Sequence, residues 1–483
     1  MKRALCLLPL LCGVLPLPAQ EGAPAAPPAQ AAGWGAAMGI GAVTMDGQTW
    51  TQVSLRPDIP IGKLGIALDL TLYFDENGNV RKSDWDEGKD LIDKIYYLRW
   101  AHKGDPVYLK AGALDDVTLG YGMLVKHYSN SMQYPAVRRV GGEFDIHVGR
   151  PQLEGFVANF RELGDPGLLG LRASYPVIGK LRVGGSYVMD GNLYAGMMDD
   201  DKDHVPNELD RFPDHNDGSE HDTWTALRDT LGAGSDMWEL MTQSAGYPGE
   251  EWLAGPLSDY SKAEESLQAI GADVGYELLP NLDLYAQWAK FNGYGNGWAP
   301  GVRWRPFSWL QAGAEYRVWG EQFIGEFVNR SYDLERTVFL GDTLLSREAL
   351  LEHAPAMKGI YADALLRVFN ILRVKAAFNS MTPDAAGADD WNSLWADAGL
   401  DLSKLPKLTE LSAYYEQVGV KSLFALKSES TVSGVRLGYE MAPGAEMRLN
   451  WRTTYVDANG DGRIRGKEET VRTFAVETVF KLR

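Results

Sequence analysis

Apolar and polar side chains alternate with a period of two along most of the chain, and this alternation restricts the fold more than any other feature of the sequence. The clearest stretch, residues 63–74, places Leu64, Ile66, Leu68, Leu70, Leu72 and Phe74 on one side and Gly65, Ala67, Asp69, Thr71 and Tyr73 on the other. Because successive side chains of a β-strand point to opposite faces, period two predicts strands with one apolar face. The stretch is also close to the ~9–11 residues with which a tilted strand crosses a bilayer.

The same alternation returns at residues 181–190, 310–318, 372–378, 447–455 and 474–482, and the further candidates include 117–127. About 20 such segments can be counted; we expect some to be split or to lie outside the membrane, which predicts roughly 16–18 strands and an even total. From residue 33 onward there is no apolar run of ~18 residues, so no membrane-spanning helix is expected. The predicted fold is all-β, a transmembrane antiparallel β-barrel with short helices in long loops.

Glycine and aromatic residues are abundant, which agrees with this fold. The 483 residues include 53 Gly, 22 Tyr, 15 Trp and 15 Phe; aromatic side chains favour strands, and glycine permits close strand contacts. The mean hydropathy is slightly negative, at -0.24, as expected when every second strand residue faces water or a lumen. A soluble exported β-protein, such as a sandwich or a propeller, would alternate as well and stays open as the alternative.

The first residues have the pattern of a secretory signal peptide over residues 1–20. Lys2 and Arg3 are followed by an apolar run over residues 4–17 and a plausible cleavage region near residues 19–20, a run too short for a membrane helix. Residues 21–32 form a Pro/Ala-rich linker, and the barrel is expected over residues 33–483. Both cysteines, Cys6 and Cys12, lie in the signal, so the mature chain has no thiol for a disulfide, a nucleophile or a metal.

The charge balance excludes one class of partner. Cleavage lowers the Lys and Arg count from 47 to 45 against 65 acidic residues, a net charge of about -20. A chain this acidic repels phosphate, so no nucleic acid is expected as a partner. The expected surroundings are instead the lipid of a bacterial outer membrane.

A long insert at about residues 191–264 interrupts the strand pattern. It begins with an acidic run and continues with two helix-like segments at residues 224–232 and 235–246, and a third such segment follows at 344–354. These segments are expected in long external loops or inside the lumen. The part at residues 199–264 is a possible docking site for another protein.

Residues 457–468 have the ligand spacing of an EF-hand calcium loop. Asp457, Asn459 and Asp461 occupy positions 1, 3 and 5, a glycine occupies position 6, the carbonyl of Arg463 position 7, and Glu468 position 12. Calcium prefers six to eight oxygen ligands around such a turn. Because both flanks alternate as strands, we expect a hairpin loop held by calcium. The alternative is a polar hairpin without a metal.

A weaker version of this pattern begins at Asp75. The segment contains Asn77 and Asn79 but has valine where the EF-hand loop has its glycine. A tight turn is therefore the preferred interpretation, and a metal site is the alternative.

The segment 126–130, KHYSN, resembles the His-x-Ser-Asn stretch of outer-membrane lipid A deacylases and outer-membrane phospholipases. In those families the histidine is the general base and the serine is the nucleophile, which the resemblance implies for His127 and Ser129. Two residues apart on a strand, they would share a face, and Glu143 is the candidate to orient the histidine. A polar strand end followed by a loop is the alternative.

Each strand has one apolar face and one opposite face, and the charged residues on these opposite faces are mostly basic. The expected lumen-facing charges are Arg99, Lys110, Arg182, Arg317, Arg373, Lys375, Arg448 and Arg452, opposed by Asp69, Glu315 and Glu440. Rings of such charges set ion selectivity in a pore, and an open lumen would show a slight anion preference. The alternative is a plugged barrel in which these charges pair with one another.

The segment 55–65, LRPDIPIGKLG, together with the LGYG motif at 119–122 and the Asp457 loop, resembles uncharacterised porin-like outer-membrane barrels of Gram-negative bacteria. The resemblance implies the fold and a location in the outer membrane, and no activity. Three hypotheses remain: a non-enzymatic barrel, either a channel for small solutes or ions or a structural barrel with calcium-stabilised loops; an acyl hydrolase using His127 and Ser129; and a scaffold that docks another protein through residues 199–264.

Overall fold

Strands account for most of the structure, a computed structural model. It describes residues 35–482 except 46–47, 82–84, 86–93, 132–138, 148, 163–166, 196, 198–206, 208–209, 211, 213–214, 216–218, 244–246, 248, 250–251, 254–265, 334, 341–342, 370, 386–389, 401, 403–406, 421–426, 429–430, 443–444, 456–463 and 465–468. The predicted signal peptide (residues 1–20) and linker (21–32) lie outside the described residues.

The first half of the sheet comes from β1 (Gly35–Met45), β2 (Gln48–Ile61), β3 (Leu64–Leu68), β4 (Leu70–Phe74), β5 (Ile95–Trp100), β6 (Val107–Gly112), β7 (Gly141–His147), β8 (Gln152–Val157), β9 (Leu168–Ile178), β10 (Leu181–Asp190), β11 (Leu267–Leu279) and β12 (Leu282–Phe291). The chain continues through β13 (Asn296–Phe307), β14 (Leu310–Trp319), β15 (Thr337–Leu340), β16 (Thr343–Ser346), β17 (Met357–Val368), β18 (Leu372–Pro383), β19 (Trp391–Leu400), β20 (Leu408–Val420), β21 (Thr431–Ala442), β22 (Ala445–Tyr455) and β23 (Thr470–Leu482).

These strands form a closed antiparallel barrel. Successive barrel strands pair with each other, except that β3 and β4 do not pair with each other but both pair with β2, and β14 pairs with β17. β1 pairs with both β2 and β23, which closes the ring. The hairpin of β15 and β16 stands apart from the barrel sheet. The described residues give a 21-stranded sheet. Because β3 and β4 both pair with β2 and continue each other, the barrel has 20 strand positions, and the expected 16–18 was too low.

The break between β3 and β4 falls at Asp69, whose side chain is 3% exposed. Its carboxylate accepts hydrogen bonds from Thr71 Oγ1 at 2.5 Å and from Arg56 Nε at 3.3 Å. Its backbone N–H donates to the carbonyl of Lys94 at 2.7 Å. A buried carboxylate needs such partners. This polar cluster, which faces the lumen, accompanies the break between β3 and β4, while both strands keep their pairing with β2.

The polarity of the barrel is inverted relative to a soluble protein. In β3 and β4 the leucine side is partly exposed, whereas the opposite side, including Thr71 at 1% and Tyr73 at 2%, is buried. The apolar faces therefore point outward, as predicted, and the small and polar faces point into the lumen. This is the arrangement of barrels that cross a membrane.

Outward-facing aromatic residues mark the height of the apolar band. On β13, Trp298 is 46% exposed and Phe307 is 56% exposed. The nine residue steps from Trp298 to Phe307 span ~30 Å along the strand, or roughly 23 Å in height at a tilt of ~40°. That height matches the ~25 Å apolar band that aromatic girdles flank in such barrels.

The connections differ at the two rims. One rim, which we call the short-turn rim, has tight turns such as residues 179–180 and 280–281; the other, the long-loop rim, holds the connections at 75–94, 113–140, 191–266 and 320–356. The 191–266 connection contains α1 (Ser219–Leu231) and α2 (Asp236–Thr242), as predicted. Ser235 caps α2 by accepting a hydrogen bond from the N–H of Trp238 at 3.1 Å. In the described part of the chain, no helix is both long and apolar enough to cross a membrane.

Two local predictions were wrong. The helix expected at 344–354 shortens to α3 (Ala349–Glu352), because β16 takes the preceding residues into a hairpin with β15. The strand expected at 117–127 is irregular chain with isolated bridges, because it leaves the sheet and folds into the lumen.

Candidate functional site in the barrel lumen

The lumen-facing row can be followed from strand to strand through the register. Directly opposed residues of an antiparallel pair share a face, and one such row runs from Glu154 to Arg172, then to Ser186 and Gly271. The same parity places the predicted inward charges on the lumen side: Arg99, Lys110, Arg182, Arg317, Arg373, Lys375, Arg448, Arg452, Asp69, Glu315 and Glu440. The expected orientation of these charges is confirmed.

One connection from the long-loop rim, residues 113–131, folds back into the lumen, and we call it inner loop A. Its apolar side chains Leu114, Val125 and Tyr128 are fully buried. They pack against residues of the barrel wall in the main apolar cluster. Gly120 and Gly122 have φ of 60° and 98°, left-handed values that glycine adopts without strain. These glycines let the loop reverse direction inside the barrel.

A second connection, residues 320–336, joins it there, and we call it inner loop B. The Lys126 N–H donates to the Val328 carbonyl at 2.9 Å, and the Val328 N–H donates to the Leu124 carbonyl at 3.1 Å. The Glu326 N–H donates to the Met123 carbonyl at 2.8 Å. Backbone pairing supplies the partners that buried amides require, so the two loops form one folded unit.

An ionic cluster attaches this unit to the barrel wall. Glu326 Oε1 lies 2.5 Å from Lys126 Nζ and 2.5 Å from Arg317 Nη2, and Arg317 also contacts Glu315 Oε2 at 2.8 Å. Burial opposes ionisation of Glu326, but the charges of Arg317 and Lys126 outweigh it and lower the Glu326 pKa to about 2. Tyr361 stacks beneath both cations, 3.5 Å from Lys126 Nζ and 4.0 Å from the Arg317 guanidinium carbon.

A second attachment lies nearer the long-loop rim. Arg336 binds Asp190 in the wall, with Nη2 2.7 Å from Oδ2, and the Tyr332 hydroxyl donates to the same carboxylate at 2.7 Å. The Tyr128 hydroxyl of inner loop A donates to Asp333 of inner loop B at 3.0 Å. Burial raises the pKa of Tyr128 and Tyr332 well above the usual value, so both hydroxyls stay protonated donors.

The tip of inner loop A lies flat against the inner wall. The ring of Tyr121 stacks on that of Tyr285 at a centroid distance of 4.0 Å and an angle of 3°. A Cβ at Gly275 would lie 2.0 Å from the Tyr121 hydroxyl oxygen. The Arg303 guanidinium lies 5.4 Å from the Tyr121 ring centroid. Glycine at position 275 therefore provides the space for the stack.

The wall behind inner loop A contains another buried ion cluster. Arg172 binds Asp273 at 2.7 Å and Glu154 at 2.7 Å, and Glu154 also accepts from the Gly120 N–H at 3.2 Å. A buried arginine requires such paired acids. In this half of the lumen the charges therefore pair with one another, which was the expectation for a plugged barrel.

The other half of the lumen is not filled in this way. Where the inner loops cover them, lumen-facing residues of β8 to β17 are buried, among them Phe156, Arg172, Tyr285, Gln287, Glu315 and Tyr361, whereas Arg182, Arg303 and Asp363 on the same strands are exposed. Their counterparts on β18 to β22 are partly exposed, among them Lys375, Trp395, Asp397, Glu416, Asn450 and Arg452. The inner loops thus cover one side of the barrel, and among the described residues the partly exposed side chains of the other side mark a path along the wall.

Charged side chains from both sides line this path, and we call Asp116, His127, Arg330, Lys375 and Glu416 the charged aperture. Arg330 of inner loop B interacts electrostatically with Asp116 and with Glu416 on the opposite wall. Burial alone would raise the pKa of Asp116, but its hydrogen bond to His127 and the nearby cations lower it. The aperture therefore contains mixed charges.

The structure does not assemble the predicted hydrolase site. His127 Nδ1 lies 2.7 Å from Asp116 Oδ1, the Ser129 hydroxyl is 3.0 Å from that of Ser131, and Glu143 accepts from Tyr108 at 2.7 Å. No hydrogen bond joins any two of the three expected residues, all of which the structure describes.

The physical reason is local. His127 has a φ of 56° in irregular chain, so it does not share a strand face with Ser129. Ser129 is 3% exposed, whereas the His127 side chain is 56% exposed. The expectation that the two face the same way was wrong.

The calcium-like loop lies outside the described residues, apart from residue 464; Asp457, Asn459, Asp461, Arg463 and Glu468 are among those not described.

The weaker Asp75 segment forms a turn, as preferred. Asp75 Oδ1 accepts from the N–H groups of Asn77 and Asn79 at 2.8 and 2.7 Å. These hydrogen bonds lower the Asp75 pKa. Among the residues that the structure describes, no three His, Cys, Asp or Glu side chains are grouped to hold a metal.

No known family model matches the sequence, and no curated protein matches it. Among solved structures, the chain is similar to OccK11 (OpdR) of Pseudomonas aeruginosa, with 10% identity, a TM-score of 0.35, and coverage of 93% of this chain and 95% of that one. It is similar to the outer membrane protein opdK of Pseudomonas aeruginosa, with 9% identity, a TM-score of 0.34, and coverage of 93% and 98%. It is also similar to the FrpB iron transporter of Neisseria meningitidis (F5-1 variant, apoprotein form), with 8% identity, a TM-score of 0.38, and coverage of 93% and 81%.

Proposed function

We propose that this protein is a non-enzymatic outer-membrane channel that passes small hydrophilic solutes or ions through the charged aperture. The observation that carries the proposal is the asymmetry of the lumen among the described residues: most inward-facing residues of β8 to β17 that the inner loops cover are buried, whereas most of those on β18 to β22 are partly exposed. If the lumen were plugged, the inward-facing residues on both sides of the barrel would be buried. In this proposal, water along the exposed side forms the polar path that solutes follow.

The outer surface supports the membrane location. The outward faces are apolar and carry aromatic side chains at both heights of the band, including Trp298 and Trp304 on one strand. A closed ring of backbone hydrogen bonds leaves no sheet edge in lipid. Outer-membrane lipid is accordingly the proposed partner of the exterior.

Conductance in planar bilayers tests the proposal. Purified protein should produce discrete steps of current, and Lys375→Glu should alter the ratio of anion to cation permeability because the side chain faces the aperture. Lys358→Glu is the control, since Lys358 lies in an exposed pair with Asp384, 2.8 Å away on the long-loop rim. Folded protein that inserts and passes no current would contradict the proposal.

Calcium binding by the loop at residues 457–468 remains a second, separate proposal. It is supported by the ligand spacing of Asp457, Asn459, Asp461, Arg463 and Glu468 and by the location of the loop between β22 and β23. A bound ion would hold this hairpin loop at the long-loop rim. Docking of another protein by the insert at 199–264 stays a prediction.

A further inference from the structure

Two arginines face each other near the short-turn rim of the exposed half of the lumen. Arg367 of β17 is the direct antiparallel partner of Arg373 of β18. Their Cα atoms are therefore about 4.5–5.5 Å apart, and their side chains share a face. The row that contains them also contains Asp363 and Ala377, which oppose each other on the lumen side.

Both side chains are exposed, and neither forms an ion pair within 4.0 Å with any residue the structure describes. Like charges directly opposite each other destabilise a sheet. By contrast, the two buried lumen arginines Arg172 and Arg317 each bind two acids. Arg367 and Arg373 therefore form a like-charge pair that no described acid offsets at close range.

A third cation extends the site toward the charged aperture. Lys375 lies two residues beyond Arg373 on the same face, about 7 Å along the strand. Its direct partner on β19 is Asp397, but the two form no ion pair within 4.0 Å. The acid nearest on β17 in the same row is Asp363, four residues from Arg367. These acids sit on the aperture side and leave the arginine end positive.

The space beside the arginines is open. On β19 the direct partner of Arg373 is Gly399, which presents no side chain to the lumen. A Cβ placed at Gly399 would meet nothing closer than the Ser412 Cβ, at 3.9 Å. Guanidinium groups bind oxyanions through paired N–H donors, and two of them can converge on one anion in this space.

We propose that Arg367, Arg373 and Lys375 form a binding site for oxyanions, the phosphate or carboxylate groups of solutes, on the lumen wall of β17 and β18. The site deepens the proposed channel function, on which it depends for the passage of solute but not for binding. Arg367 and Arg373 bind the anion, and Lys375, which also belongs to the charged aperture, lies next to them along β18.

Binding can be measured without current. Inorganic phosphate and succinate are titrated separately into detergent-solubilised protein by calorimetry at constant ionic strength, so that the two arms distinguish phosphate from carboxylate. Saturable binding of at least one is expected, weakened about 10-fold or more in Arg367→Gln/Arg373→Gln, because this double variant removes both guanidinium groups that donate to the anion. Arg305→Gln is the control, because Arg305 at the same rim is paired with Asp283 at 2.7 Å; it should change binding less than about 2-fold.

The double variant must be folded, which retention of the heat-dependent gel shift of a barrel establishes. Absence of saturable binding of either anion, or equal binding in the folded double variant, would overturn the site. In bilayers, the double variant should also lose anion preference. If the wild type binds the anion but passes no current, the channel proposal is refuted and the binding site is retained. If the wild type passes current but the folded double variant binds the anion as well as the wild type does, the binding site alone is refuted.

Discussion

Lys126 Nζ lies 2.5 Å from Glu326 Oε1, an ion pair between two loops separated by 200 residues in the chain. Through Arg317 the same carboxylate binds the barrel wall. We therefore expect Glu326→Gln to release both inner loops, at a cost of roughly 3–5 kcal/mol, because it removes the acid that Lys126 and the buried Arg317 share and leaves Arg317 with Glu315 alone. Single-channel conductance should rise and become noisier.

A matched control for this change is Asp384→Asn. Asp384 and Lys358 form a pair of similar length, 2.8 Å, but their side chains are 54% and 55% exposed, and exposed pairs contribute at most ~1 kcal/mol. Conductance of the control should equal that of the wild type. A Glu326→Gln channel with unaltered conductance and noise would show that the ion cluster does not hold the loops.

The pH dependence of the loops follows from the same carboxylate. The Glu326 pKa is lowered from 4.5 to about 2, so its stabilising contribution is complete above pH ~4.5 and is lost as the pH falls toward ~2. The full shift corresponds to about 3 kcal/mol. Channel noise recorded from pH 6 to pH 2.5 should increase below pH ~4 in the wild type. The Glu326→Gln channel should lack this transition; if both respond alike, another group is responsible.

The stack of Tyr121 on Tyr285 depends on a glycine in the wall. In Gly275→Val the new side chain would overlap the Tyr121 hydroxyl, since a Cβ there lies 2.0 Å from it. We expect the tip of inner loop A to leave the wall, with loss of a stacking energy of ~1 kcal/mol and a narrower path, measured as reduced conductance. Gly185→Val is the control, because a Cβ at that position meets nothing closer than 3.9 Å. Equal conductance of the two variants would contradict the steric role.

The calcium proposal predicts a chelator effect. Removing calcium from the wild type should lower the temperature at which the long-loop rim becomes sensitive to protease, because binding stabilises only the folded loop. Asp457→Ala should remove this dependence on chelator, whereas Asp75→Ala should keep it, since Asp75 only caps a turn. Identical protease sensitivity of the wild type with and without chelator would refute the proposal.

The barrel itself could be predicted because each strand is specified locally. Alternation in segments such as Leu181–Asp190 depends only on neighbouring residues, and its parity correctly placed Arg182 and Lys375 in the lumen. The strand count failed because we expected several of the ~20 alternating segments to lie outside the barrel, whereas most of them pair in it and 117–127 is one that does not. Which segments pair is set by contacts between distant residues. Such contacts leave no period in the sequence.

The lumen could be predicted only in part for the same reason. Glu326, Asp190 and Asp116 act through partners from 9 to 200 residues away, and no local pattern identifies those partners. One signal was present: the apolar run at residues 123–125, Met-Leu-Val, lacks alternation and so does not suit a lipid-facing strand. His127 was singled out for an enzyme motif, yet its position in the aperture follows from the turn of inner loop A.

The seam of the barrel, where β1 meets β23, lies in the half that the inner loops do not fill. The main apolar cluster takes its buried members from residues 114–381, none of them in β1 to β4 or β19 to β23. Among the described residues, the apolar contacts of this cluster thus come from one continuous stretch of chain. They do not depend on the pairing of β1 with β23, which joins the two ends of the sheet.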